Sequence, residues 1–157
     1  MTLTLVRLDD RLIHGQVVIG WVQAMGIEKI VVIDDHVRAN EWEQDIYRLG
    51  VPDGLGVEFT SVEEAQKRVT AWCEAPERIV LLVGDVRTMA CLCESDGINK
   101  VNVGGVHDAP GRRQRLPYVF LTDDEAVQLR ALHDHGVEVT AQAVPTERPH
   151  PIGEVIR

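Results

Sequence analysis

Short apolar runs alternate with amphipathic stretches along most of this chain, and the alternation predicts a strand–helix rhythm. Leu3 to Val6 is a short strand-like run; from Gly15 to Met25, Val18, Trp21, Val22 and Met25 recur on one side at helical spacing. Lys29 to Ile33 and Arg78 to Val83 are aliphatic without polar alternation, the pattern of parallel strands covered on both faces. Between them lie a helical segment from about Asn40 to Leu49, closed by Gly50 and Pro52, and a strand at Val57 to Thr60. A helix from Ser61 to about Trp72 opens with a capping box made by Ser61 and Glu64.

After Gly84 and Asp85 the pattern predicts a helix to about Ser95, then a strand at Lys100 to Val103 ended by Gly104 and Gly105. Asp108 to Arg115 mixes turn residues with basic ones and reads as a polar connection. Tyr118 to Leu121 is a further strand candidate. Thr122 then caps a helix whose first turn carries Asp123, Asp124 and Glu125 against the positive end of its dipole, and which stops at His135 and Gly136. Val137 to Val144 alternates as a last strand, and the proline-bearing tail from Pro145 to Arg157 is expected along the surface.

Strands alternating with helices imply right-handed crossovers and one α/β domain over residues 1–157: an open, twisted, mainly parallel sheet with helices on both faces. The strands around Tyr118 and Val137 are candidates for antiparallel edges. With aromatic residues at 4%, the core rests on Val, Leu, Ile and Ala. The formal charge of −9 repels nucleic acid backbones, and no apolar run reaches the roughly 20 residues of a membrane span. Met1 leads into a strand rather than a signal peptide, so the expected location is the cytoplasm. Cys73, Cys91 and Cys93 read as reduced, partly buried apolar residues.

In open α/β sheets ligands bind beyond the carboxyl ends of the strands. The first such loop, Arg7-Leu8-Asp9-Asp10-Arg11-Leu12-Ile13-His14-Gly15-Gln16, gathers two guanidinium groups, two carboxylates and an imidazole just before a helix. An imidazole lone pair is a nucleophile near neutral pH. A phosphoryl group on His14 would meet helix N–H groups and the charges of Arg7 and Arg11, with Gly15 allowing close backbone approach. The residues equally fit a solvated ion-pair network in which His14 caps the helix.

The stretch from Arg7 to Val17 resembles the signature of the IIB components of the mannose/fructose/sorbose family of the bacterial sugar phosphotransferase system. The similarity continues through Ile30 to Asp35, the Val101-Asn102-Val103-Gly104-Gly105 loop and the segment from Gly136 to Thr146. That resemblance implies an open, mainly parallel α/β fold, phosphorylation of His14 at Nδ1, and Arg7 and Arg11 lining the phosphate. It implies a IIA phosphohistidine as donor, and a sugar held by membrane IIC and IID components as acceptor. It further implies a homodimer, association with the membrane only through the transporter, and no cofactor. Gly84-Asp85-Val86-Arg87 and the basic Val106 to Arg115 depart from the family pattern, and Asp85 would repel a phosphate if it faced the site. These departures leave room for a regulatory relay that uses the same His14 without a sugar transporter.

The remaining site candidates divide between functional and local roles. Asp10, Gly15 and Gln16 belong to the phosphate-binding loop; Asp34, Asp35, Gly84, Asn102, Gly104 and Gly105 are candidate walls. Asp34 or Asp35 would either orient His14 or cap the next helix. Leu12 and Ile13 would form a docking surface or pack in the core. His36 and His107, with His14 and Asp35, lack any metal-binding spacing, so no metal is expected, and His133 and His135 suit a helix C-terminus. No glycine-rich nucleotide fingerprint is present.

Overall fold

The computed structural model describes residues 3–157, and its main sheet has seven strands in the order β3-β2-β4-β1-β5-β8-β9. The strands are β1 (Leu5–Asp9), β2 (Lys29–Ile33), β3 (Gly56–Thr60), β4 (Ile79–Val83), β5 (Lys100–Gly105), β8 (Glu138–Ala141) and β9 (His150–Pro151). All neighbouring pairs are parallel except β8 with β9. A separate antiparallel pair, β6 (Arg113–Leu116) and β7 (Val119–Leu121), leans on the sheet through a bridge between Val106 and Val119.

Period-two alternation divides the core into two layers. Val31, Ile33, Ile79, Leu81 and Val83 face one cluster with Trp72, Met89, Leu92 and Leu129, while Ile30, Val32, Val80 and Leu82 face another with Val17, Val18 and Val22. The first face carries α4 (Val62–Gln66), α5 (Val69–Glu74), α6 (Val86–Leu92), α7 (Asp123–Asp134) and α8 (Ile152–Val155). The second carries α1, α2 (Asp35–Arg38) and α3 (Glu41–Leu49). The first seven residues of α1, Gln16–Val22, are π-helical and Gln23–Met25 continue it as α-helix. Every β4 residue is buried, as its unbroken aliphatic run requires.

Several boundaries differ from the sequence reading, each for a local reason. β1 does not stop at Val6 but continues through Arg7, Leu8 and Asp9, because Arg7 and Asp9 find buried polar partners and Leu8 enters the first core cluster. The helix expected from Ser61 to Trp72 breaks at Lys67 and Arg68, where Arg68 turns to stack on Trp72 and pair with Glu58. Ser61 accepts from the Glu64 N–H, but Glu64 reaches out to Arg38 rather than back, so the reciprocal capping box stands instead at Thr122 and Glu125. Residues near Val137 run parallel to β5 and antiparallel only to β9, and the strand near Tyr118 is antiparallel to β6. The tail does not merely cross the surface: Ile152 and Val155 enter the first core cluster. Part of the polar connection after Asp108 is strand β6.

Candidate functional site

The carboxyl end of β1 builds the site. Asp9 pairs with Gly105 where the β1–β5 register shifts, the Asp10 N–H donates to the Gly105 carbonyl at 3.0 Å, and the Leu12 N–H closes a turn on the Asp9 carbonyl at 2.9 Å. Leu12 sits in the left-handed region at φ 57°, a conformation costing an L-residue roughly 1–2 kcal/mol. Its side chain, 4% exposed, is anchored in the second core cluster and offsets that cost. Ile13 is buried beside it, so both residues are core and not a docking surface.

Asp9 is fully buried and stands at the centre. One oxygen, Oδ2, lies 3.0 Å from His14 Nε2 and 3.6 Å from Arg7 Nη2; the other, Oδ1, accepts from the Arg11 backbone N–H at 3.1 Å and from Arg11 Nε at 3.2 Å. Burial alone would raise its pKa, but the hydrogen bonds from His14 and Arg11 outweigh burial and hold the carboxyl down at about 2. An ionised carboxylate only accepts, so His14 carries its hydrogen on Nε2 and keeps the lone pair of Nδ1. The His14 side chain is 16% exposed, at the surface of the cluster.

Arg7 lies behind this carboxylate and is fully buried. Nη1 donates to Asn102 Oδ1 and to the Gln142 carbonyl at 2.9 Å, Nη2 donates to the Ala143 carbonyl at 2.9 Å, and the guanidinium stacks 4.6 Å from the Trp21 ring centre. Burial pushes its pKa down to about 10, with Asp9 opposing the shift. The group has no room at Gly104: a Cβ there would fall 2.0 Å from Arg7 Cζ. Gly105 is tight but less so, its Cβ position lying 3.2 Å from Asp9 Oδ1. Arg7 therefore braces Asp9 from within, its donors turned to Asn102, Gln142 and Ala143.

Arg11 is the outer cation. Its side chain is 37% exposed and bridges Asp9 to Gln16, whose Oε1 accepts from Nη2 at 3.0 Å. Arg11 and Gln16 line a pocket of about 350 Å³ together with Gly104, Gly105, His107, Tyr118 and Phe120. Gly15 begins the helix in helical geometry, with nothing within 4 Å of its Cβ position.

The family model described as "PTS system sorbose subfamily IIB component" matches residues 3–157. The chain belongs to this family. It is 30% identical to the N-acetylgalactosamine-specific phosphotransferase enzyme IIB component 1 of Escherichia coli (strain K12), covering 94% of each chain. It is 28% identical to the mannose-specific EIIAB component of Escherichia coli (strain K12), covering 94% of this chain and 46% of that one. The crystal structure of manxB from Thermoanaerobacter tengcongensis superposes on it with a TM-score of 0.88 at 29% identity, covering 99% of this chain and 95% of that one. The expected mainly parallel α/β fold is thus the fold of solved IIB chains.

In this IIB chain the other expected site residues have local tasks. Asp34 accepts from the Val37 N–H at 2.9 Å and Asp35 from the Val62 N–H at 2.8 Å, so both cap helices and neither orients His14. Asp85 accepts from the Thr88 N–H at 2.7 Å as the cap of α6, which accounts for an acidic residue in that loop. Gly84 packs under Leu12. Asp10 turns outward and holds His107 by its backbone N–H at 2.7 Å and its ring at 2.5 Å. His36 pairs with Glu43, away from that pair, and no group of three metal-ligating side chains gathers among the described residues. His135 does serve the end of α7, its ring 2.6 Å from the Ala131 carbonyl. Asp9, Trp21 and Gln142 are the parts the sequence reading missed. For Asp9 a signal existed: in an extended strand it shares a face with Arg7. Trp21 and Gln142 carried none.

Proposed function

We propose that this chain is the phosphocarrier subunit of a sugar phosphotransferase system, with His14 Nδ1 as the carrier atom. The observation that carries the reading is the contact between His14 Nε2 and the ionised, buried Asp9, which leaves Nδ1 as the nucleophilic nitrogen. In the first step the Nδ1 lone pair attacks phosphorus on the phosphohistidine of a IIA partner, and the broken P–N bond returns its electron pair to the donor imidazole. The His14 ring gains positive charge, which Asp9 stabilises through the shared Nε2 hydrogen. In the second step the hydroxyl of a sugar held by membrane IIC and IID subunits attacks phosphorus, gives its proton to a base beside the sugar, and the broken P–N bond returns its electron pair to Nδ1.

Arg11 suits the phosphoryl oxygens because it is the exposed cation beside His14; Gln16 and the N–H groups after Gly15 complete that cradle. Arg7 acts through Asp9, whose charge and position it fixes. A IIA donor fits the joined A and B units in the name of the mannose-specific EIIAB relative. No helix among the described residues is long and apolar enough to cross a membrane.

The test is incubation of wild type, His14→Ala and Asp9→Asn with the general phosphotransferase donors, a IIA protein and labelled phosphoenolpyruvate, followed by intact-mass analysis at alkaline pH. Wild type should gain one acid-labile phosphoryl group and His14→Ala none. Asp9→Asn should be phosphorylated about 10–100-fold more slowly, the usual cost of losing a group that orients a functional imidazole. A wild type that stays unmodified, or a labelled His14→Ala, would overturn the proposal.

A further inference from the structure

Of the three tryptophans, Trp21 and Trp72 are each 5% exposed, whereas Trp42 on α3 is 72% exposed. Ile46 at 47% and Leu49 at 88% follow it at four- and seven-residue spacing, so the three form one apolar ridge about 10 Å long on the outer side of a nine-residue helix. The inner side of α3 is held by Tyr47, which packs on Phe59 with ring centres 6.3 Å apart, and by Arg48 stacked over the same ring. The ridge is therefore not a core face turned the wrong way. The other large exposed apolar residues, Ile19 and Val127, lie singly on separate helices and need no explanation. A contiguous apolar ridge on an otherwise charged surface marks a contact site.

Charge decides what covers it. Glu41 and Asp53 are exposed along the helix and the turn after it, while Asp45 and the cation Arg48 offset each other at 4.0 Å, Arg48 also stacking on Phe59, so the rim is acidic on balance. The chain as a whole carries −9. An acidic rim on an acidic protein opposes both a second copy of itself and an anionic lipid surface, and favours a partner that brings Lys and Arg. Membrane proteins concentrate those residues in their cytoplasmic loops. The ridge begins on the side of the chemistry: the chain leaves β2 on the same edge of the sheet as the His14 loop, a Cβ at Gly84 would meet both Leu12 and Asp34, and only the short α2 separates that edge from the start of α3, which then runs back toward the opposite edge where β3 begins.

We infer that the Trp42–Ile46–Leu49 ridge, with its carboxylate rim, is the docking surface for the Lys- and Arg-bearing cytoplasmic loops of the membrane subunit that holds the acceptor sugar. The inference rests on the carrier reading but concerns a different part of the molecule, so the two fail separately.

The test compares wild type, Leu49→Glu, Trp42→Glu and Glu41→Lys in co-sedimentation with vesicles containing IIC and IID subunits, and with bare vesicles of anionic or neutral lipid. Phosphorylation of His14 by soluble donors and the sedimentation coefficient are read in parallel. Wild type should bind subunit-bearing vesicles in a salt-sensitive way and ignore bare ones, and the Trp42 fluorescence should lose its access to acrylamide on binding. Leu49→Glu and Trp42→Glu should each weaken binding about tenfold or more, the effect expected of a buried interface anchor. Glu41→Lys should weaken binding and reduce its salt dependence, while all three variants should accept phosphate on His14 at the wild-type rate. Wild-type binding retained by the ridge variants, no binding by wild type, equal binding to bare vesicles, or conversion of a dimer to a monomer by Leu49→Glu would each overturn the inference. Failure of wild type to accept phosphate on His14 would instead strike the carrier reading.

Discussion

Gly104 and Gly15 show how differently two glycines of one site are constrained. A methyl group at Gly104 would overlap the Arg7 guanidinium, whose donors are committed to Asn102, Gln142 and Ala143 and whose displacement would take a buried positive charge away from Asp9. Gly104→Ala should therefore cost about 3 kcal/mol or more, combining overpacking with a disturbed buried charge pair, and lower Tm by about 6–12 °C. Gly15 has helical φ and ψ and open space around its Cβ position, so Gly15→Ala should leave Tm unchanged or raise it slightly. Thermal melts of the two variants against wild type check the contrast; equal effects would mean that Arg7 is not wedged as described. That Gly104 faces an arginine ninety-odd residues earlier was not readable from a paired-glycine motif, which also serves simply to turn a chain.

At the scale of elements, the two helix starts carrying a Ser or Thr cap with a Glu three residues on differ in what their carboxylates do. Thr122 Oγ1 accepts from the Glu125 N–H at 3.0 Å and Glu125 returns the bond to the Thr122 N–H at 2.9 Å, while Arg112 grips the same carboxylate with two bonds of 3.0 Å. α7 is a twelve-residue helix whose first turn depends on this arrangement. Ser61 caps only a five-residue helix, and Glu64 faces Arg38. Thr122→Ala should cost about 1 kcal/mol, or about 2–4 °C in Tm, and Ser61→Ala less, as differential scanning calorimetry can measure. The two sequence patterns look alike because capping requires only the spacing; which carboxylate turns back is set by the arginine that competes for it.

On the scale of the whole molecule, acid should act through the carboxylates that ion pairs hold down. Asp9 in the folded chain titrates at about 2, below the ordinary carboxylate range, and Glu58, Glu125 and Glu147 are also lowered, burial opposing and hydrogen bonds prevailing. The unfolded chain therefore binds more protons than the folded one as pH falls, and stability drops with it. The denaturant midpoint should be level above about pH 5 and fall between about pH 4 and pH 2, the interval from the free carboxylate range to the folded value of Asp9. Asp9→Asn should start less stable and show a shallower fall. A variant whose acid slope equals that of wild type would deny Asp9 its central place.

Most of the strand and helix order, the two-sided burial of β2 and β4, the parallel α/β class and the cluster around His14 were legible in consecutive residues, as aliphatic runs, cap residues and a dense charged loop. Only the tertiary structure decided that Arg7 is buried behind Asp9 instead of exposed beside His14, that Asp34 and Asp35 cap helices, that the tail adds β9 and buries Ile152 and Val155, and that the ridge of α3 is left outside. The physical reason is common to all four. An arginine strand residue, a carboxylate at a strand end or an apolar helical face can be solvated or satisfied in either place, and the choice depends on partners elsewhere in the chain: Asn102, Gln142 and Ala143 for Arg7, Val62 for Asp35, and for α3 the Phe59 ring of β3, which takes Tyr47 and Arg48 and leaves the opposite side of the helix outside.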